Sequence, residues 1–300
     1  MDYPVESFTD DERALLRAHV TNLDRPVFAL VDLPETVKGA LFARYSRYQG
    51  TLRRLLLDEF AADLPDRLGT VTGAADASRA AQLYERIFLG YGDDSVAQLG
   101  GAHVACEWVS NVLTKVLQRP RLGAYLEQST RYIAYDTPMP GGPGSGGGGA
   151  ESGAPRYRYY RDAELGPAYV RAMDELFATY SAALPQVVAW AQDEFPRAEA
   201  DAPAAHARAL QAKALDLLRG LLPAGSLSHM GIFATGQTYE QLILHLLAHP
   251  LPEARHYGAM ILEELQAVMP SFVARVARPD RGGQWIGYLQ SRAEAGARWA

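Results

Sequence analysis

The chain has 300 residues, 48% hydrophobic and 21% charged, with a formal net charge of −6 and a pI near 5.7. That is the composition of a soluble globular protein, long enough for one large core or two modest ones. The acidic balance excludes the broad basic face of a nucleic-acid binder, and a single cysteine, Cys106, excludes a disulfide framework or a cysteine-built zinc site.

The first stretch, MDYPVESFTDDERALL, is acidic and has no basic-then-apolar leader pattern. No run reaches the roughly 18 apolar residues that span a bilayer. The expected location is the cytoplasm, and the expected partners are small molecules, with no nucleic acid and no membrane.

Thr9 followed by Glu12 makes a capping box ahead of a first helix. Asp32 reads as the N-cap of LPETVKGALFARYS, with Pro34 in its first turn. TLRRLLLDEF and SRAAQLYERIFLG carry helical apolar spacing. GGAHVACEWVSNVLTKVLQ is apolar on nearly every face, which predicts a buried helix that Pro120 ends. Arg119 and Arg121 then sit where this helix exits. EQSTRYIAYD is rich in strand formers, and in an extended chain Glu127, Ser129 and Arg131 point to one side.

Residues 139–155, MPGGPGSGGGGAESGAP, read as a flexible loop inside a single domain spanning 1–300. The stretch lacks the GK[ST] ending of a phosphate loop. The second half is helical. Val170, Met173, Phe177, Tyr180 and Leu184 keep helical spacing, and Asp201 with Pro203 opens a helix running to Arg219. Thr238 and Gln241 match a capping box ahead of LILHLL, while Pro252 starts a further helix that Pro270 stops.

The chemistry concentrates in RPRLGAYLEQSTRYIAYD, Arg119 to Asp136. Arginine's planar fork of donors suits phosphate, and several together compensate a dianion. Glu127 and Gln128 have the groups to read a pyrimidine's imide edge or hold a ribose. A salt-bridged strand explains the same residues with no ligand at all, and the residue types alone leave both readings open.

RPRLGAYLEQSTRY resembles the signature of flavin-dependent thymidylate synthases, Arg-His-Arg followed by seven residues and a serine, with Arg119, Arg121 and Ser129 at the matching positions. GDDSV at 92–96 is similar to that family's Gly-His-x-Ser-Val, ARYS at 43–46 to its Ala-Arg-Val-Ser, and RGLLP at 219–223 to its Arg-x-x-Leu-Pro. The resemblance implies an α/β (α+β) fold with a central mixed sheet flanked by helices and a helical C-terminal half. It also implies a homotetramer with active sites between subunits.

The implied chemistry is C5-methylation of a uridine nucleotide, with FAD as cofactor and NADPH and methylenetetrahydrofolate as co-substrates. By the same resemblance Ser46, Ser95, Arg119, Arg121, Glu127 and Gln237 would contact FAD. Glu127, Gln128, Ser129, Thr130, Arg131 and Arg219 would hold the nucleotide, and Ser129 and His245 would serve catalysis. Cys106 lies in an apolar run where a thiol is inert, so a cysteine-based route to C5 alkylation is not available.

Several positions depart from the pattern. The motif histidine is Pro120, the Gly-His histidine is Asp93, and a glutamine three residues before the first arginine is Val116. No arginine lies between Arg219 and Arg255, where the family places one near the pyrimidine carbonyl, which leaves His245 or His249 to stand in. Two readings follow: a specialised methylase acting on UMP at least as well as dUMP, similar to the uridylate methylases of polyoxin-type nucleoside-antibiotic pathways, or a non-catalytic flavin- and nucleotide-binding relative.

Overall fold

A computed structural model describes residues 3–33, 35–61, 98, 100–137, 139, 156–199 and 201–298. The helix expected at 78–90, the GDDSV stretch with Asp93 and Ser95, and nearly all of the glycine-rich loop lie outside the described residues.

The order is α1 (Asp10–His19), β1 (Val27–Leu30), α2 (Glu35–Tyr45), α3 (Leu52–Leu55, extended by a π turn Leu56–Phe60), β2 (Gly101–Ser110), α4 (Asn111–Leu117) and β3 (Gly123–Glu127). There follow α5 (Gly166–Glu194), α6 (Pro203–Leu218), β4 (Leu227–Thr235), α7 (Gly236–Leu247), α8 (Pro252–Val268), α9 (Pro270–Val273) and α10 (Gln284–Ala297). Four strands form one sheet in the order β1-β2-β4-β3. The α/β class with a central sheet and a helical second half is as expected, but every pairing among the described residues is antiparallel where a mixed sheet was anticipated.

Residues 101–110 form the central strand β2, whereas the sequence pattern predicts a helix. A strand buried on both faces is apolar at every position, as a buried helix is, so periodicity does not separate the two. The helix starts only at Asn111, where Ser110 caps it by accepting the Leu113 N–H at 3.0 Å. Arg119 and Arg121 still lie at the helix exit. Cys106 is therefore in mid-strand and not in a helix, fully buried, and burial pushes its thiol up.

Side chains alternate across the sheet. Val27, Ala29, Val104, Cys106, Met230 and Ile232 meet Tyr239, Leu242, Ile243, Ile261 and Leu265 of α7 and α8. On the other face Phe28 and Ala105 pack with Leu16, Leu41, Phe42, Leu52 and Leu55 from α1, α2 and α3. Each such apolar side chain contributes roughly 1.5–3 kcal/mol on burial. Glycine is required at 231, because a Cβ there would come within 2.8 Å of the Phe42 ring. A separate cluster joins Ile133, Tyr135 and Tyr159 to Phe177, Tyr180 and Leu215 of the α5–α6 hairpin. No helix among the described residues is long and apolar enough to cross a membrane.

β2 is broken by a bulge between Cys106 and Val109, where Trp108 takes φ +56°. Beside it the buried Glu107 carboxylate accepts the Leu52 N–H at 2.8 Å and faces the Tyr45 hydroxyl and the Arg53 guanidinium, each at 3.4 Å. Burial outweighs Arg53 and pushes this carboxyl from 4.5 up to about 7. The folded chain thus holds the proton more tightly than the unfolded one between those values, and stability falls as pH rises through that window. Thermal melts from pH 4.5 to 8 should show this slope, and Glu107→Gln should flatten it. Identical pH profiles for the two proteins would refute the assignment.

Candidate functional site

The loop leaving α4 is tied down at two points. The Tyr125 hydroxyl donates to the Pro120 carbonyl at 2.8 Å, and the Thr238 hydroxyl donates to the Leu122 carbonyl at 3.2 Å. Thr238 is free to do so because the N-cap of α7 is Thr235, whose side chain accepts the Thr238 N–H. The capping box expected from Thr238 and Gln241 therefore sits inside the helix. The local pattern fits both registers, and β4, which the sequence reading missed, sets the start of α7.

Arg119, Pro120 and Val116 line a cavity of about 410 Å³, completed by His245 and His249 from α7 and its end and by α10. His245 donates from Nδ1 to the Gln241 carbonyl at 2.8 Å, which leaves Nε2 as the ring's second polar atom. Arg121 is exposed and outside this cavity. Glu127, at the end of β3, is held by Lys115 Nζ at 2.9 Å and Gln118 Nε2 at 2.7 Å. Gln237, in the first turn of α7, accepts from Gln98.

Past Glu127 the chain turns instead of continuing as a strand, with the Tyr132 and Ile133 N–H groups both reaching the Ser129 carbonyl. The expected one-sided array of Glu127, Ser129 and Arg131 is replaced by a turn that the apolar cluster of Ile133 and Tyr135 anchors on the α5–α6 hairpin. Within it Ser129 Oγ accepts the Arg131 N–H at 3.3 Å, and Thr130 is half-buried. The Ser129 N–H donates to the Ser46 carbonyl at 3.1 Å, joining the ARYS stretch to the RPR stretch.

Arg131 and Arg219 converge. The Nε atoms of both lie beside one Asp216 carboxylate oxygen, at 3.3 and 3.2 Å, and all three side chains are about half exposed. Asp216 precedes Arg219 by three residues on the same helical face, a spacing that the sequence displays.

Gln128 points inward and is buried. Its Oε1 accepts from Arg158 Nη2 at 2.7 Å, and its Nε2 donates to the Tyr48 carbonyl at 2.7 Å, so its amide is engaged by protein on both sides. The sequence reading gave no hint of Arg158, a fully buried guanidinium lying over the Tyr135 and Trp108 rings at 4.6 and 5.2 Å. No carboxylate pairs with it among the described residues. Burial holds its pKa below the usual arginine range. Beside it His229 accepts the Trp108 N–H at Nδ1 (3.1 Å), and burial, then Arg158, push its pKa well down, so the ring is neutral.

In one chain the predicted residues form two groups. Arg119 with His245, and Ser129 with Arg131 and Arg219, lie off opposite ends of β3, a five-residue strand roughly 17 Å long.

The fold and these groups define an antiparallel α/β protein that presents its arginines at both ends of one edge strand. The chain belongs to the thymidylate synthase complementing protein family (Thy1), whose model matches residues 52–271. It is 43% identical over 281 residues to a UPF0159 protein of Chlamydia pneumoniae and 40% identical over 284 residues to one of Chlamydia muridarum. These alignments cover 90% and 89% of this chain but 50% of each relative, so the chain spans about half the length of the curated relatives it matches. A crystal structure of thymidylate synthase X from Helicobacter pylori with FAD and dUMP aligns at TM-score 0.36 and 14% identity. That alignment covers 65% of this chain and 83% of the other, and it is too loose to bear on function.

Gln128→Leu removes partners from both Arg158 and the Tyr48 carbonyl. It should lower unfolding free energy by about 2–6 kcal/mol, since each of the two orphaned buried groups costs roughly 1–3, whereas Ser129→Ala should change it little. Urea denaturation measures both, and equal stabilities would mean the buried tie is not made.

Proposed function

We propose that the chain is a flavin-dependent C5-methylase of a uridine nucleotide, UMP or dUMP, that takes its one-carbon unit from methylenetetrahydrofolate and its reducing equivalents from NADPH. The observation that carries this reading is the convergence of Arg131 and Arg219 on one carboxylate. Two guanidiniums that reach the same oxyanion in the free chain are placed to grip a nucleotide phosphate, a stronger acceptor than Asp216. Ser129 and Thr130 offer hydroxyls in the same turn. Gln128 acts from behind, holding that turn through Arg158 and Tyr48.

The cavity beside Arg119 fits part of a flavin dinucleotide by its donor set. It has guanidinium and imidazole groups on an apolar floor and no acidic lining residue among the described residues. Arg119, Arg121, Glu127, Ser46, Ser95 and Gln237 would hold FAD, which supplies the redox chemistry when bound. His245 lines this cavity with Nε2 outside its bond to the Gln241 carbonyl, and it is the residue proposed to meet charge or a proton at the pyrimidine of a nucleotide held by another copy. The two groups lie off opposite ends of β3, and in the proposed homotetramer another copy would complete the site.

Pro120 and Val116, in place of the motif histidine and glutamine, favour a changed substrate and equally a binder without turnover. Flavin absorption bands in the purified protein are expected under both. Tritium release from 5-tritiated UMP, with NADPH and methylenetetrahydrofolate supplied, should proceed at least as fast as from dUMP. Activity on dUMP alone would end the UMP assignment, and release from neither would end the catalytic one.

Arg131→Ala should cost about 2 kcal/mol in nucleotide affinity, the worth of a charge-assisted hydrogen bond, and Ser129→Ala should weaken binding with the melting temperature kept. Calorimetric titration with UMP and dUMP checks this, and normal binding by both variants would remove the turn from the site.

A further inference from the structure

The cavity beside Arg119 is walled on one side by α10, and α10 lies wholly beyond the residues 52–271 that match the family. Leu289, Arg292 and Ala293, three and four residues apart and so on one helical face, are the points where α10 meets it. Leu289 is buried and fixes the helix there, while Arg292 is exposed at the rim.

Neither Arg292 nor Arg119 makes an ion pair among the described residues, and Arg292 has only the Tyr288 ring at 6.0 Å. His249 adds a third polar group. Its Nδ1 accepts the Leu251 N–H at 3.1 Å, so the neutral ring carries its proton on Nε2 as a donor. Burial, then Arg119 and Arg255, depress its pKa. Two guanidiniums bordering one cavity without a carboxylate between them are left with their charge uncompensated, and an anion with several oxygens satisfies both.

We infer that α10 is a functional wall of this cavity and that Arg292, together with Arg119, holds the diphosphate of the bound flavin dinucleotide. This rests on the flavin reading above and extends it to a segment outside the family match. The consequence is that the C-terminal helix, which contributes little to the sheet core, contributes to cofactor affinity.

Flavin-fluorescence titration of the full chain tests it, with FAD as ligand and ADP as a displacing probe. Arg292→Ala should raise the Kd for FAD and for ADP about tenfold or more, with an unchanged melting temperature. Arg292→Lys should fall between the two proteins, and Arg298→Ala, at the C-cap of α10 and not lining the cavity, should bind as the wild type does. FAD affinity that survives Arg292→Ala but is lost in Arg119→Ala overturns this inference and leaves the flavin reading standing. Weaker FAD binding with ADP affinity intact also overturns it, since the phosphates would then not be the point of contact. A wild-type chain that binds no FAD overturns the flavin reading, and this inference with it.

Discussion

The bulge in β2 governs where the chemistry-bearing residues go, and one face of α8 holds it in place. Glu253 and Tyr257, four residues apart, point at the same stretch of backbone. The Tyr257 hydroxyl donates toward the carbonyls of Glu107 and Trp108, at 2.6 and 3.1 Å, and the Glu253 carboxylate takes the Ser110 N–H at 2.8 Å and its hydroxyl at 2.5 Å. Trp108 is thereby kept at a positive φ that a bulky side chain adopts only when its surroundings require it. Ser110 in turn caps α4, so these bonds decide where the helix starts and where, nine residues past Ser110, Arg119 emerges. Burial raises the Glu253 carboxyl against the Ser110 bonds that lower it, so this anchor is a polar group kept inside by the hydrogen bonds it makes.

The same bulge communicates with the turn at 128–131 through polar groups sealed inside the sheet. Trp108 gives its N–H to His229 and its ring to Arg158, and Arg158 gives a hydrogen bond to Gln128. A guanidinium in a dry interior with an amide and two aromatic faces in place of a carboxylate is a costly arrangement. It is tolerable because Gln128 is itself fixed from the far side by the Tyr48 carbonyl. The backbone on either side of this tie carries Glu127 and Ser129. A loop bearing Arg131 thus gains a rigid root while its tip remains at the surface.

How much of this the sequence revealed depends on whether local chemistry or tertiary pairing decides each element. The Thr9–Glu12 box and the helix from Pro203 to Leu218 were legible because caps and 3.6-residue spacing act over a single turn. Residues 101–110 were misread because burial on both faces erases the alternation that marks a strand, and only the partner strands reveal it. EQSTRY looked extended because β3 does precede it, yet the chain turns at Ser129, where Ile133 and Tyr135 find the α5–α6 hairpin. The arginines of the site were visible as residue types. Asp216 was visible in principle from its spacing to Arg219, whereas Arg158 and Arg292 become relevant only through contacts distant in sequence.

The length of β3 sets the last constraint. Five extended residues separate the Arg119 loop from the Ser129 turn along β3, yet Lys115 and Gln118 at the end of α4 both reach Glu127, at 2.9 and 2.7 Å, so Glu127 stands between the two groups. Thr238 and Tyr125 hold the loop, and Gln128 and Ser46 hold the turn, so the two groups do not drift toward each other. A ligand that engages both must either extend along the edge strand, as a dinucleotide has the length to do, or be met by the complementary group of another copy. Either way β3 spaces the two arginine groups, and Glu127 at its end ties the α4 exit to the turn.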